Sequence, residues 1–323
     1  MSQTPLLELR DLSVGLKGDR VEYDIVRNIN LSIYQNEILA IVGESGCGKS
    51  LTALSILGLH ASPPLRITSG SITYDGRDLT KVSPEELRKV RGAEIAMIFQ
   101  DPMSALDPMF TVGTLLTSAI RAHKKVTDSA AEKIAHECLA DAGIEDPRRR
   151  FGEFPFQLSG GVSQRVMIAL ALVNNPKILI ADEPTTALDV TVQAQILERL
   201  KDLKNERGMS IMLITHNLGV VASVADRMAV MYTGEIVEIG SVQNVFSVPQ
   251  HPYTTGLLGA VPRLGSNSVA LVPIIGRVPL PDNLPKGCTF ADRCGRVVPE
   301  CGVNRPELVS RGAAEVRCFN PFR

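Results

Sequence analysis

An open α/β fold built on a mostly parallel sheet is predicted by three observations. Four short apolar runs, Ile38–Val42, Ile95–Phe99, Ile178–Ala181 and Ile211–Ile214, carry no polar residue, as expected of strands covered on both faces. Each is followed at once by residues that carry chemistry: Gly43, Gln100, Asp182-Glu183 and Thr215-His216. Helical periodicity fills the intervals, most clearly at Leu51–Leu57 and Ser163–Val173. In such a sheet the carboxyl edge of the strands binds ligands, so these distant residues are expected to converge there.

The chain's 323 residues suggest about two domains. Hydrophobic content of 44% with 21% charged residues is globular composition. A net charge of -1 gives no bulk attraction to nucleic acid or anionic lipid, so no nucleic-acid partner is expected. No apolar stretch approaches the roughly 20 residues that span a bilayer, and Met1-Ser2-Gln3-Thr4-Pro5 has no basic leader. The chain is therefore expected to stay in the cytoplasm. Six cysteines are too few for a disulfide scaffold.

In chain order, Leu6–Val14, Ile25–Ile33 and Ser69–Gly76 alternate in part and are separated by turn residues, as in an antiparallel sheet with one wet face. Tyr23 is placed in the loop ahead of the second segment, where its ring can stack on a base or pack on its own strand. The run Ile38–Val42 then enters Gly43-Glu44-Ser45-Gly46-Cys47-Gly48-Lys49-Ser50, which fits G-x-x-x-x-G-K-[ST]. Small residues let backbone N–H groups converge on phosphates, Lys49 can reach the β- and γ-phosphates, and the Ser50 hydroxyl can ligand Mg²⁺. The helix that starts near Leu51 points its positive end at the same anion. Cys47 lies at that helix start, where a lowered thiol pKa and sensitivity to alkylation are expected.

From about residue 111 to 145 the pattern is helical, with Ile134, Cys138, Leu139 and Ala142 on one face, and Asp146-Pro147 ends it. Arg148-Arg149-Arg150 reads as a solvated face. Leu158-Ser159-Gly160-Gly161 opens the next helix and offers a second anion site of N–H groups and a hydroxyl. Arg227 to Gly240 reads as a hairpin turning at Thr233-Gly234. His251-Pro252-Tyr253-Thr254 opens a short helix, and Pro273, Pro279, Pro281 and Pro285 mark an extended strap.

With these pieces assembled, the sequence resembles the ATP-binding subunits of ABC transporters over nearly its whole length. Gly43 to Ser50 matches the Walker A loop, Gln100 the Q-loop, and Leu158-Ser159-Gly160-Gly161-Val162 the signature motif. Ile178 to Glu183 matches the Walker B strand with its glutamate, Ala187-Leu188-Asp189 the D-loop, and His216 the switch histidine. Valine at 162 departs from the commoner glutamine, while Gln164-Arg165 are kept. A narrower resemblance, to dipeptide and oligopeptide importer ATPases, rests on Gln100 to Pro108, His251 to Thr254 and Pro285 to Cys294.

The resemblance implies a P-loop NTPase of ABC type with a parallel core sheet, an antiparallel β subdomain and a helical subdomain at about 101–165, together filling 1–240. An oligopeptide-transporter-type extension with four cysteines occupies 241–323. It implies ATP and Mg²⁺, with Tyr23, Gly43, Ser45, Gly46, Cys47, Gly48, Lys49, Ser50 and Leu51 at one nucleotide. Ser159, Gly160, Gly161 and Asp189 would face a partner's. Ser50, Gln100 and Asp182 would hold the metal, while Glu183, His216 and Gln100 carry the hydrolysis. The implied partners are a second, similar ATPase in a heterodimer, two membrane permeases and, indirectly, an external peptide-binding protein. The place is the cytoplasmic face of the inner membrane. An importer of nickel or another solute, and a soluble ABC ATPase outside transport, are the alternatives.

Cys288, Cys294, Cys301 and Cys318 are spaced C-x₅-C-x₆-C-x₁₆-C. Four thiolates suit a [4Fe–4S] cluster or Zn²⁺, with free or regulatory thiols as the alternative, and some ATPases resembling this chain carry the cluster here. The gaps are wider than the C-x₂-C pairs of zinc ribbons.

Overall fold

The computed structural model describes residues 4–17, 22–185, 188–260 and 273–322. The fold divides into two compact units, Met1–Lys81 with Ile214–Arg323, and Val82–Leu213.

The first unit holds an antiparallel sheet in the order Glu22–Ile33, Leu7–Lys17, Leu65–Tyr74, Arg77–Asp78. Leu7, Leu9, Leu12 and Val14 are all fully buried although their spacing breaks strict alternation. The register shifts between Leu9 and Leu12, and Asp11 takes the left-handed φ of 47° that absorbs the extra residue. Its N–H is satisfied by the Asn30 side-chain oxygen at 3.0 Å. The same unit contains the strands Val309–Arg311, Ala314–Val316, Glu235–Ser241, Arg227–Tyr232 and Ile38–Val42, side by side in that order. The last two run parallel and the others antiparallel. The expected hairpin turns at Thr233 and Gly234, with φ of 44° and 84°, the positive pair that matches strand twist. The proline-marked strap is followed by two short strands, the second of which pairs with Glu238–Gly240.

In the second unit the strands Ile95–Ile98 and Ile178–Asp182 pair in parallel, Ile95 opposite Ile178, and Ser210–Ile214 follows them in the sheet order. Every residue of the three is buried, which is why none needs a polar alternation. The helical span expected from 111 is two helices, Val112–Arg121 and Asp128–Asp141, since Thr127 caps a fresh start by accepting the Ala130 N–H. Asp146-Pro147 does not only end a helix. It starts another, Pro147–Phe151, in which Arg150 is half-buried and paired with Glu153 at 2.8 Å rather than simply solvated. Two longer helices follow, Gly160–Leu172 and Val190–Arg207.

Candidate functional site

In the first unit the chain leaves Ile38–Val42 into a loop that only glycine can form at two points. A Cβ on Gly43 would stand 2.1 Å from the Met231 carbonyl oxygen, and Gly48 begins the helix Lys49–Ile56 at φ 98°. The glycine spacing read as a phosphate cradle thus also has steric causes. Lys49 is buried, and its ammonium donates to the carbonyls of Gly43 at 2.9 Å and Glu44 at 3.0 Å. Ser50 and Leu51 are half-exposed on the first turn. Thr215 donates its N–H to Ile41 at 3.3 Å, so His216, exposed, follows the same strand edge in this unit. Asn217 caps the next helix, Leu218–Val224.

Two expectations for this unit need correcting. Tyr23 lies within the strand Glu22–Ile33, opposite Leu16 and half-buried, not in a loop. Cys47 is 1% exposed and its thiol pKa is raised, because desolvation outweighs the attraction of the Lys49 ammonium 3.7 Å away. Burial here outweighs the position at a helix start.

The second unit holds the other set. Asp182 ends its strand 4% exposed, and Glu183 follows with a left-handed φ of 45°. The Gln100 amide donates to the Glu183 carboxylate at 3.2 Å, so two strand-end residues 83 positions apart do meet. Ser159 and Gly160 are exposed at the start of the 13-residue helix, and the Ser159 hydroxyl makes no capping bond. Gly161 is half-exposed behind them. Asp189 caps Val190–Arg207 by accepting the Val192 N–H at 2.9 Å. Ala187, expected in the same motif, lies outside the described residues. The side chains of Asp182 and Gln100 in this unit, and of Ser50 in the first, each carry an oxygen that suits Mg²⁺.

Residues that the sequence reading passed over surround Glu44. Its N–H donates to the Tyr253 hydroxyl at 2.9 Å, and its carboxylate receives two bonds from Arg293 at 2.7 and 3.0 Å. His251-Pro252-Tyr253 was the available signal: the His251 ring accepts the Tyr253 N–H at 3.0 Å and so starts the helix Pro252–Gly259. The His251 ring is buried, which pushes its pKa down to about 3 and keeps it neutral.

The four tail thiols lie within electrostatic range of one another. Burial first, then Cys301, Cys318 and Cys294, push Cys288 up to about 11. Cys288 also donates its N–H to the Cys301 carbonyl at 2.8 Å, and the Arg296 N–H meets the Cys294 sulfur at 3.3 Å. Among the described residues, however, no group of three or more His, Cys, Asp or Glu side chains is arranged to hold a metal ion. The tetrathiolate expectation therefore finds no support in the arrangement of these side chains.

The family model described as ABC transporter matches residues 26–186, and that described as oligopeptide/dipeptide transporter, C-terminal region, matches 237–301. The dipeptide transport ATP-binding protein DppD of Bacillus subtilis (strain 168) is 49% identical, over 97% of this chain and 94% of its own length. The oligopeptide transport ATP-binding protein OppD of the same organism is 50% identical over 90% of this chain and 81% of its own. Among solved structures, the ATP-binding cassette MJ0796, a dimer in a post-hydrolysis state with ADP and Pi, has a TM-score of 0.66 at 31% identity. That match covers 73% of this chain and 98% of the cassette.

Proposed function

This chain belongs to the ATP-binding subunits of ABC transporters, on the oligopeptide and dipeptide branch, and from that premise we propose how its residues couple ATP hydrolysis to peptide import. It is the ATP-hydrolysing subunit that energises import of dipeptides or oligopeptides. Lys49 and the N–H groups of Gly46, Gly48 and Ser50 hold the phosphates, and the Tyr23 ring receives the base. Ser50, Asp182 and Gln100 would hold Mg²⁺. When bound, the ion neutralises charge on the β- and γ-phosphates. Glu183 orients the attacking water and takes its proton, and Gln100 fixes the Glu183 carboxylate through the bond described above. His216 contacts the γ-phosphate. Ser159, Gly160, Gly161 and Asp189 close on the nucleotide of a second, similar ATPase, so nucleotide binding favours the closed dimer and hydrolysis reopens it. Support for that pairing comes from the dimeric state named for the similar cassette.

The partners proposed are that second ATPase, two permeases and, through them, an external peptide-binding protein, at the cytoplasmic face of the inner membrane. Among the described residues no helix is long and apolar enough to cross a membrane, in keeping with a peripheral subunit. The domain reading follows the same line: a nucleotide-binding domain over 1–240, with its helical part at about 101–165, and the extension at 241–323.

The observation that carries the peptide reading is the match of residues 237–301 to the oligopeptide/dipeptide transporter C-terminal region, with 49% and 50% identity to the dipeptide and oligopeptide ATP-binding proteins. The test is uptake of labelled dipeptides and oligopeptides, with nickel in parallel, in cells whose only copy is native or Glu183→Gln. Loss of peptide uptake alone is expected; peptide uptake that persists in the variant would overturn the assignment.

For the tail, the proposal is a thiolate site for a [4Fe–4S] cluster or Zn²⁺ at Cys288, Cys294, Cys301 and Cys318. The gathering of these four cysteines in the last 36 residues motivates it, and no step of hydrolysis passes through it. Iron, sulfide and zinc analysis of anaerobically purified protein decides, and metal-free protein rejects the site.

A further inference from the structure

The loop from Gly43 to Gly48 is made largely of small residues, and Glu44 carries its one long side chain ahead of Lys49. Every polar group of Glu44 is engaged. Its carbonyl accepts from the Lys49 ammonium at 3.0 Å and its N–H donates to the Tyr253 hydroxyl at 2.9 Å. Its carboxylate is held in the fork of Arg293, Nη1 to Oε2 at 2.7 Å and Nη2 to Oε1 at 3.0 Å. Two residues from the far end of the chain therefore fix the peptide on which Lys49 rests.

Both holders are themselves fixed. Tyr253 is fully buried, its ring 4.6 Å from that of Tyr232 and 5.4 Å from that of Phe290. Its backbone is set by His251, whose own N–H, like that of Gln250, is bound by the buried Glu238 carboxylate at 2.9 and 2.8 Å. The Arg293 side chain is 4% exposed. Its Nε donates to the Ile275 carbonyl at 3.1 Å, Nη1 also donates to the Tyr232 hydroxyl at 3.3 Å, and the guanidinium lies over the Tyr232 and Phe290 rings. A bidentate pair of this kind restricts rotation as well as distance.

We infer that Tyr253 and Arg293 are positioning residues for the phosphate loop, setting the place of Lys49 through Glu44. This rests on the reading of Lys49 as the phosphate-binding lysine. A loop of small residues loses backbone freedom when phosphate binds; one already anchored at Glu44 loses less, so affinity rises without any contact from Tyr253 or Arg293 to the nucleotide. The fork also explains a glutamate at a position where the phosphate cradle itself asks for no particular side chain.

The test is MgATP binding by the full chain, by titration calorimetry, with thermal unfolding measured on each variant. Arg293→Ala is expected to weaken binding roughly tenfold and Tyr253→Phe roughly threefold, with Arg293→Lys intermediate because one cation replaces the fork. Glu44→Ala combined with Arg293→Ala is expected to bind no more weakly than either alone, as two halves of one interaction must. If Arg293→Ala does not fold, Tyr253→Phe, which removes one oxygen and keeps the aromatic packing, carries the test. Affinities of the folded variants within about twofold of native, or effects that add in the double variant, overturn the inference. A native chain that does not bind MgATP overturns the ATPase reading instead.

Discussion

Gly43→Ala is the substitution whose consequence can be worked from distances. The new Cβ would sit 2.1 Å from the Met231 carbonyl oxygen and 2.9 Å from the Cys47 sulfur, where contacts under 3.0 Å essentially do not occur. The backbone must therefore retreat by about 0.9 Å from the Arg227–Tyr232 strand. Overpacking of this size costs about 1–3 kcal/mol of stability. The larger effect is on function, since the Gly43 carbonyl is one of the two carbonyl acceptors of the Lys49 ammonium. A displacement of about 1 Å at a positioning group can cost on the order of 100-fold in rate. Gly208→Ala, outside the loop, is the control: no non-neighbouring residue lies within 4 Å of its Cβ, and the strain is only that of φ 63°, about 1–2 kcal/mol. Phosphate release by the assembled transporter and thermal unfolding of the chain give the comparison. Equal loss of turnover in the two variants, or native turnover in Gly43→Ala, would refute the steric account of the loop.

Glu183→Gln should lower hydrolysis by about 10²–10⁴ while leaving nucleotide affinity in place, because the new side chain's oxygen can still accept from Gln100; phosphate release against calorimetric affinity separates the two, and undiminished hydrolysis removes Glu183 from the mechanism. The buried His251 has its pKa pushed down from 6.5 to about 3, so between those values the unfolded chain binds a proton that the folded chain refuses. Its stabilising contribution is complete above the unfolded value and is lost as pH falls, by at most about 1.4 kcal/mol per pH unit. His251→Asn, which keeps a capping acceptor, should therefore show a shallower acid loss of urea midpoint than the native chain, and parallel slopes would contradict the burial argument. Cys47 is 1% exposed whereas Cys294 and Cys318 are half-buried, so iodoacetamide treatment of the metal-free chain followed by mass spectrometry should find the tail thiols labelled first. Cys47 labelled ahead of them would restore the reactive-thiol expectation.

The four core strands were legible because burial on both faces leaves no room for polar residues, and each apolar run ends where a polar or glycine residue begins the site. The hairpin was legible because only a Thr233-Gly234 pair supplied the needed positive φ values. The strands Val309–Arg311 and Ala314–Val316 were not, since three residues carry no readable period and the proline-rich stretch before them suggests a strap. Cys47 misled for an energetic reason: a helix terminus lowers a thiol pKa, but desolvation in a fully packed site raises it by more. Asp189 was legible as a motif and turns out also to be a helix cap, so its type alone does not separate the two roles.

The contacts at Glu44 were the least legible of all. Tyr253 and Arg293 reach it across 209 and 249 positions of sequence, and no periodicity or local spacing reports a pairing at that distance. What the sequence does carry is each end separately: a glutamate within the glycine loop, a His-Pro-Tyr start to a helix, and an arginine between cysteines. Read apart, these are a solvated charge, a helix cap and a cation near thiols. Together, they anchor Glu44 of the glycine loop to the region matched by the oligopeptide/dipeptide transporter C-terminal model. A chain cut near residue 240 would lose Tyr253 and Arg293, and with them both outside anchors of Glu44. On the proposed reading of Lys49, the extension thus bears on nucleotide affinity through Glu44, apart from any role of its cysteines.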